Sequence, residues 1–221
     1  MRQIIKEYVA LAARHLPLPE PIYEFGALQV EGQEGFADLR PLFPGRAYVG
    51  CDMRAGPGVD RVLDMHALDL PDATIGSVLL LDTLEHVEYC RQAVAEIYRV
   101  LQPAGVVVAS SVMNFVIHAH PNDYWRFTPE GFRSLFGHFE TVLADWAGQA
   151  DHPHTVVAAA CKGRLPQTTT DGFVADVLRW RERASAVKPP SLGQRLLPPF
   201  LYRLDRKIVK WLRAARAAEK Y

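Results

Sequence analysis

Three short apolar runs between Pro21 and Asp64 each stop at an acidic residue or a glycine, and few folds accommodate that arrangement. The runs are Ile22–Phe25, closing on Glu24-Phe25-Gly26; Ala47–Cys51, followed by Asp52; and Arg61–Leu63, followed by Asp64. Strands of this kind alternating with helices build an open parallel sheet, whose ligands bind beyond the carboxyl ends of the strands. Gly26 has no Cβ and lets the backbone turn sharply against a ligand. Asp52, at the end of the second run, is placed to accept hydrogen bonds from two vicinal ribose hydroxyls.

The rest of the chain extends the alternation. Residues 2–15 set Ile4, Ile5, Tyr8, Val9, Leu11 and Ala12 at helical spacing, and three prolines between Leu16 and Pro21 end that helix. This helix either covers the ligand pocket or only packs on the sheet. A short helix is expected over Gly35–Leu42, stopped at Pro44-Gly45, and a turn over Arg54–Val59. Gly76–Leu81 is continuously apolar, as in a central strand buried on both faces. A helix over Val87–Leu101 stops at Pro103 and Gly105, and Val106–Ser110 is a fifth strand. Thr128–Phe136 is a helix with Thr128 as N-cap and Pro129 in its first position. Phe139–Trp146 and Thr155–Cys161 leave no room for a helix between them and read as a hairpin. The expected fold is α/β, a doubly wound, mostly parallel sheet with right-handed crossovers.

The ordered blocks in this half of the chain resemble those of the class I S-adenosylmethionine-dependent methyltransferases, specifically the methyltransferase type 11-like domains. They are Glu24-Phe25-Gly26, Tyr48-Val49-Gly50-Cys51-Asp52-Met53, Leu63-Asp64 with Leu68–Asp72, Leu81–Val87, and Glu96–Gly105. The resemblance runs from about Ile22 to Phe136 and rests on the blocks occurring in register. It implies a seven-stranded Rossmann-like sheet, S-adenosylmethionine as cofactor, and a cofactor set of Glu24, Gly26, Asp52, Met53, Asp64, Met65 and Asp82. Asp64-Met65 falls where the family holds the adenine amino group, and Asp82-Thr83 ends the fourth strand beside the transferable methyl. One position departs from the pattern: Leu28 stands where the family has a second glycine, so the first loop must pass the methionine end of the cofactor by another path. The departure bears on cofactor affinity rather than on the fold.

Methyl transfer from a sulfonium is an in-line displacement, in which the protein chiefly positions two reactants and, for a hydroxyl acceptor, supplies a base. The stretch Asn114–Phe127, NFVIHAHPNDYWRF, follows the fifth strand and gathers two histidines, an Asp, a Tyr, a Trp and an Arg. His118, His120 and Tyr124 are the candidates beside the acceptor, and Trp125 and Arg126 read as braces. His86, in the Leu84-Glu85-His86 block, either acts as a base or bonds the start of the next helix. His118-x-His120 with Asp123 also resembles a two-histidine, one-carboxylate metal site, but the adopted reading assigns no metal.

From Lys162 the composition changes. Residues 1–160 carry 11 Lys and Arg against 20 Asp and Glu, whereas residues 162–221 carry 14 against 5. The acidic body argues against contact with a nucleic-acid backbone. The expected division is a methyltransferase domain over 1–161 and a basic helical C-terminal extension over 162–221, with Thr168–Asp171 a loop or cap and helices over Phe173–Ala186 and Leu201–Ala218. The last helix suits an anionic membrane surface, a second subunit, or a solvated face against the body. Cys51, Cys90 and Cys161 are widely spaced and read as free thiols in a cytoplasmic protein, and the broken N-terminal apolar pattern makes a poor signal peptide. The acceptor expected is a small molecule or a sugar- or lipid-linked intermediate. The alternative is a non-catalytic protein on the same fold, working through its basic tail, and Leu28 is the feature that favours it.

Overall fold

The computed structural model describes residues 2–29, 35–118 and 121–185. Helix α1 (Gln3–His15) leads into strand β1 (Ile22–Phe25), followed by β2 (Tyr48–Asp52), β3 (Arg61–Val62) and β4 (Ile75–Leu81). Then come α2 (Cys90–Val100), β5 (Leu101–Val112), α3 (Pro129–Leu135), β6 (Thr141–Gln149), β7 (His152–Cys161) and α4 (Gln167–Ser185). The seven strands form one sheet in the order β3-β2-β1-β4-β5-β7-β6. Pairings from β3 to β5 are parallel, and β7 runs antiparallel to both β5 and β6. The order reverses beside β1, which is the point where an open α/β sheet leaves a crevice for a ligand.

Side-chain alternation along the buried strands sorts the core into two layers. Tyr23, Phe25, Val78 and Leu80 face α2 and α3, meeting Val94, Ile97 and Phe132. Ile22, Leu79, Leu81, Val106 and Val108 face α1 and α4, meeting Ile5, Tyr8, Phe173 and Trp180. All seven residues of β4 are buried, as the unbroken apolar run requires. Thr128 caps α3 as read, its hydroxyl accepting from Gly131 N at 2.9 Å. The cysteines are buried free thiols.

Four expectations shift. Over Gly35–Leu42 there is only a 3-10 turn at Arg40–Leu42, because the Asp38 carboxylate takes Arg40 N at 3.0 Å and Pro41 and Pro44 leave no room to propagate. The third strand shortens to Arg61–Val62 at the end of the sheet order, where among the described residues it pairs with β2 alone. The helix expected from Val87 begins at Cys90, after a 3-10 turn at Leu84–His86. Thr168–Asp171 lies inside α4, whose first turn uses Pro166 O as acceptor for Thr169 N and Thr170 N. The Thr170 hydroxyl bonds back to Gln167 O at 2.8 Å, so these threonines join the helix instead of breaking it.

Helix α4 also belongs to the body. Trp180 is fully buried, donates from Nε1 to Ile4 O at 2.9 Å and packs on Tyr8 with ring centroids 5.3 Å apart. His15 Nε2 lies 2.7 Å from Asp176 Oδ2. The compact unit therefore runs to Ser185, and the boundary expected after Cys161 falls within it. The expected helix over Leu201–Ala218 lies outside the described residues. Among the described residues no helix is long and apolar enough to cross a membrane.

Candidate active site

Every candidate residue that the structure describes lines one cavity of about 750 Å³ at the carboxyl ends of β1, β2, β4 and β5. His120 lies outside the described residues. The first wall is the turn after β1. Gly26 has φ +85°, and a Cβ there would come within 2.4 Å of Thr83 Oγ1, so both conformation and space demand glycine. Thr83 holds its place by donating from its hydroxyl to Phe25 O at 3.0 Å. Gly26 N and Ala27 N both donate to Cys51 O, and Gln29 N donates to Pro57 O at 2.9 Å, laying the first loop along the turn after β2. Leu28 lies over Gly56, where a Cβ would be 2.5 Å from Leu28 Cδ1. The leucine at the departing position thus lies against a glycine supplied by the neighbouring turn.

Asp52 accepts a hydrogen bond from Arg54 N at 3.0 Å through Oδ1, and Met53 beside it is well exposed at the mouth. At the third strand end Asp64 Oδ1 accepts from His66 N at 2.8 Å and sits 2.7 Å from His66 Nδ1, contacts that hold its carboxyl below the usual carboxylate range. Met65 follows, buried. Glu24 differs from these. It is buried, accepts from Tyr48 OH at 2.7 Å, and its carboxyl is pushed up to about 7 by burial.

The fourth strand end supplies the second wall. Asp82 adopts a left-handed φ of +50° and accepts from Ser110 Oγ at 3.1 Å and from Arg2 Nη2 at 3.1 Å. Arg2 also reaches Thr155 Oγ1 and lies over the Phe115 ring, so the start of α1 is fastened across one side of the cavity. Sequence reasoning missed Arg2, whose one signal was its place before the helix expected to cover the pocket. Glu85 was read only as part of a block, yet its side chain is wholly buried in the same wall. Its Oε2 accepts from Ser111 Oγ at 2.7 Å, while Oε1 has no hydrogen-bond partner among the described residues. Burial first, and then the Asp82 carboxylate, raise its carboxyl well above the usual range.

The loop after β5 closes over Glu85. Tyr124 N and Trp125 N donate to Glu85 O, and Trp125 Nε1 donates to Val87 O at 3.0 Å. Arg126 engages both oxygens of the nearly inaccessible Asp123 carboxylate, which also accepts from His118 N at 2.8 Å. Trp125 and Arg126 are therefore braces, as expected. The bracing brings His118 edge-on to His86, ring centroids 4.8 Å apart, with His86 Nδ1 2.5 Å from Asn122 O. Tyr124 OH accepts from Asn122 Nδ2 at 2.8 Å and is partly exposed at the rim.

Residues 48–109, a little over a quarter of the chain, match the family model described as a methyltransferase domain. No curated protein matches. Among solved structures, the chain is similar to 1,6-didemethyltoxoflavin-N1-methyltransferase of Burkholderia thailandensis, crystallised with 1,6-didemethyltoxoflavin and S-adenosylhomocysteine. The TM-score is 0.57 at 19% identity, over 73% of this chain and 79% of that one. A SAM-dependent methyltransferase of Archaeoglobus fulgidus aligns with a TM-score of 0.57 at 14% identity, over 73% of this chain and 95% of the other. A chain of the complex between the Haloferax volcanii Trm112 methyltransferase activator and a methyltransferase aligns with a TM-score of 0.54 at 16% identity, over 75% and 92% of the two chains. The likeness to these structures shows the fold, and the match over 48–109 places a methyltransferase-domain segment within it. The chain thus has the fold of the S-adenosylmethionine-dependent methyltransferases it is similar to, with the methyltransferase-domain match running from β2 into β5.

Proposed function

We propose that this enzyme methylates a hydroxyl of a small molecule or of a sugar- or lipid-linked intermediate, bound between the cofactor and the loop from Phe115 to Tyr124. Glu24, Gly26, Asp52, Met53, Asp64, Met65 and Asp82 form the cofactor side: Asp52 takes the ribose hydroxyls, Asp64 and Met65 the adenine, and Gly26 admits the backbone to the methionine end. The observation that carries the reading is the clustering of Glu85, His86, His118 and Tyr124 in the same cavity wall, next to Asp82 at the methyl end. A hydroxyl acceptor must shed a proton as the sulfonium methyl arrives, and this cluster is where titratable groups meet it. His120, assigned to the same loop from the sequence, joins the proposal as a neighbour of His118. Apolar side chains at the rim, Phe115 and Val116 among them, suit the non-polar part of an acceptor.

The test is transfer of labelled methyl from S-adenosylmethionine to panels of phenolic small molecules, oligosaccharides and lipid-linked sugars. Label in one hydroxyl-bearing class, lost in His118→Ala with cofactor binding intact, is the result expected. Transfer confined to amines or carbon acids contradicts the hydroxyl assignment.

A further inference from the structure

We propose that Glu85, His86 and His118 bind a divalent transition-metal cation at the acceptor end of the cavity. The inference rests on the functional reading above for the role of the ion, though not for its binding. Three potential ligand atoms, one from each side chain, lie within 4.8 Å of one another. Two imidazole nitrogens with one carboxylate oxygen are a donor set suited to Zn²⁺, Fe²⁺, Co²⁺ or Mn²⁺.

A second observation points the same way. The Glu85 side chain is wholly buried, yet its Oε1 has no hydrogen-bond partner among the described residues. Buried polar atoms are nearly always satisfied, and an orphan oxygen on a carboxylate grouped with two histidines is accounted for by a shared cation. Each side chain also has a polar partner that restrains it. Ser111 Oγ holds Glu85 at 2.7 Å, Asn122 O lies 2.5 Å from His86 Nδ1, and Asp123 Oδ2 lies 3.1 Å from His118 Nδ1. Such partners set ring orientation and tautomer in metal sites. Asp123, which the sequence pattern offered as a ligand, is instead committed to Arg126 through both oxygens, and Glu85 takes its place.

A cation there would take an acceptor oxygen as a further ligand and lower the pKa of its hydroxyl. The acceptor oxygen then bonds the methyl carbon while the sulfonium C–S bond breaks. The electron pair stays on sulfur to give S-adenosylhomocysteine, and the hydroxyl proton passes to water. Acceptors with two adjacent oxygens, able to chelate, are the class such a site favours.

The experiment is calorimetric and spectroscopic titration of chelator-stripped full-length protein with Co²⁺ and Zn²⁺. One saturable equivalent is expected, weakened at least tenfold in Glu85→Gln, His86→Ala and His118→Ala, and unchanged in His152→Ala on β7. If Glu85→Gln fails to fold, the two histidine variants carry the test. No saturable binding, or binding undiminished in those variants, overturns the proposal. Titration of the same stripped protein with S-adenosylhomocysteine separates the two readings. Nucleoside binding without metal binding removes the ion alone, whereas loss of nucleoside binding strikes the methyltransferase reading.

Discussion

The Thr83 hydroxyl lies where a side chain on Gly26 would have to go: a Cβ at Gly26 would approach Thr83 Oγ1 to 2.4 Å. The same hydroxyl is fixed to Phe25 O, so it cannot simply swing aside. Gly26→Ala therefore combines a steric conflict with a left-handed backbone, the latter alone costing about 1–2 kcal/mol. The variant should melt lower than wild type and bind S-adenosylhomocysteine at least tenfold more weakly, as read by calorimetry. Wild-type affinity in Gly26→Ala contradicts the close approach of this turn to the cofactor.

Glu24 should make stability fall with rising pH. Its folded pKa of about 7 lies above the ordinary carboxylate value, so the native state holds the proton more tightly than the unfolded state. Stability from this group is fully present below the unfolded pKa and is lost as pH rises through about 7. The groups facing it are Tyr48, Arg40, Asp38 and Lys6, and burial outweighs them all. Glu24→Gln keeps an acceptor for Tyr48 OH and removes the penalty. Urea denaturation at roughly pH 8 should find the variant more stable by about 3 kcal/mol, with the difference vanishing near pH 4. An equal difference at both pH values contradicts the account.

Arg2 and Asp82 tie the start of α1 to the cavity wall at the end of β4 through a 3.1 Å ion pair, partly shielded from solvent. A double-mutant cycle on Arg2→Met and Asp82→Asn should return a coupling of about 1–2 kcal/mol in denaturant titrations. A coupling near zero shows the pair to be ornamental.

Asp123 organises the loop that carries His118, Asn122 and Tyr124. Its carboxyl is held well below the usual carboxylate range by the Arg126 guanidinium. Asp123→Asn should therefore lower kcat/KM for the acceptor by about 10²-fold through misplacement, while calorimetry finds S-adenosylhomocysteine affinity within threefold of wild type. Equal losses in both measurements contradict a loop that serves the acceptor alone.

Much of the fold was legible because its signals are local. The unbroken apolar run of β4, the Thr128-Pro129-Glu130 helix start and the acid or glycine closing each early strand depend on neighbours a few residues away. The cavity could be anticipated for the same reason, since strand ends of a parallel sheet gather on one side. What escaped depends on distant meetings. Arg2 gains its role from Asp82 and Thr155, and Glu85 from Ser111 and the loop after β5. Trp180 joins the core through Tyr8 and Ile4, so a composition change at Lys162 gave no sign that α4 belongs to the body. Leu28 could be read as a departure, but its compensation by Gly56 appears once two loops are side by side.

Calorimetric titration of the purified full-length protein with S-adenosylmethionine and S-adenosylhomocysteine, with Asp52→Ala alongside, tests the central claim most directly. The account predicts saturable binding of both at micromolar Kd, about −8 kcal/mol, abolished or weakened at least tenfold in the variant. Absence of heat and of thermal stabilisation with either nucleoside, or equal binding by Asp52→Ala, would contradict it.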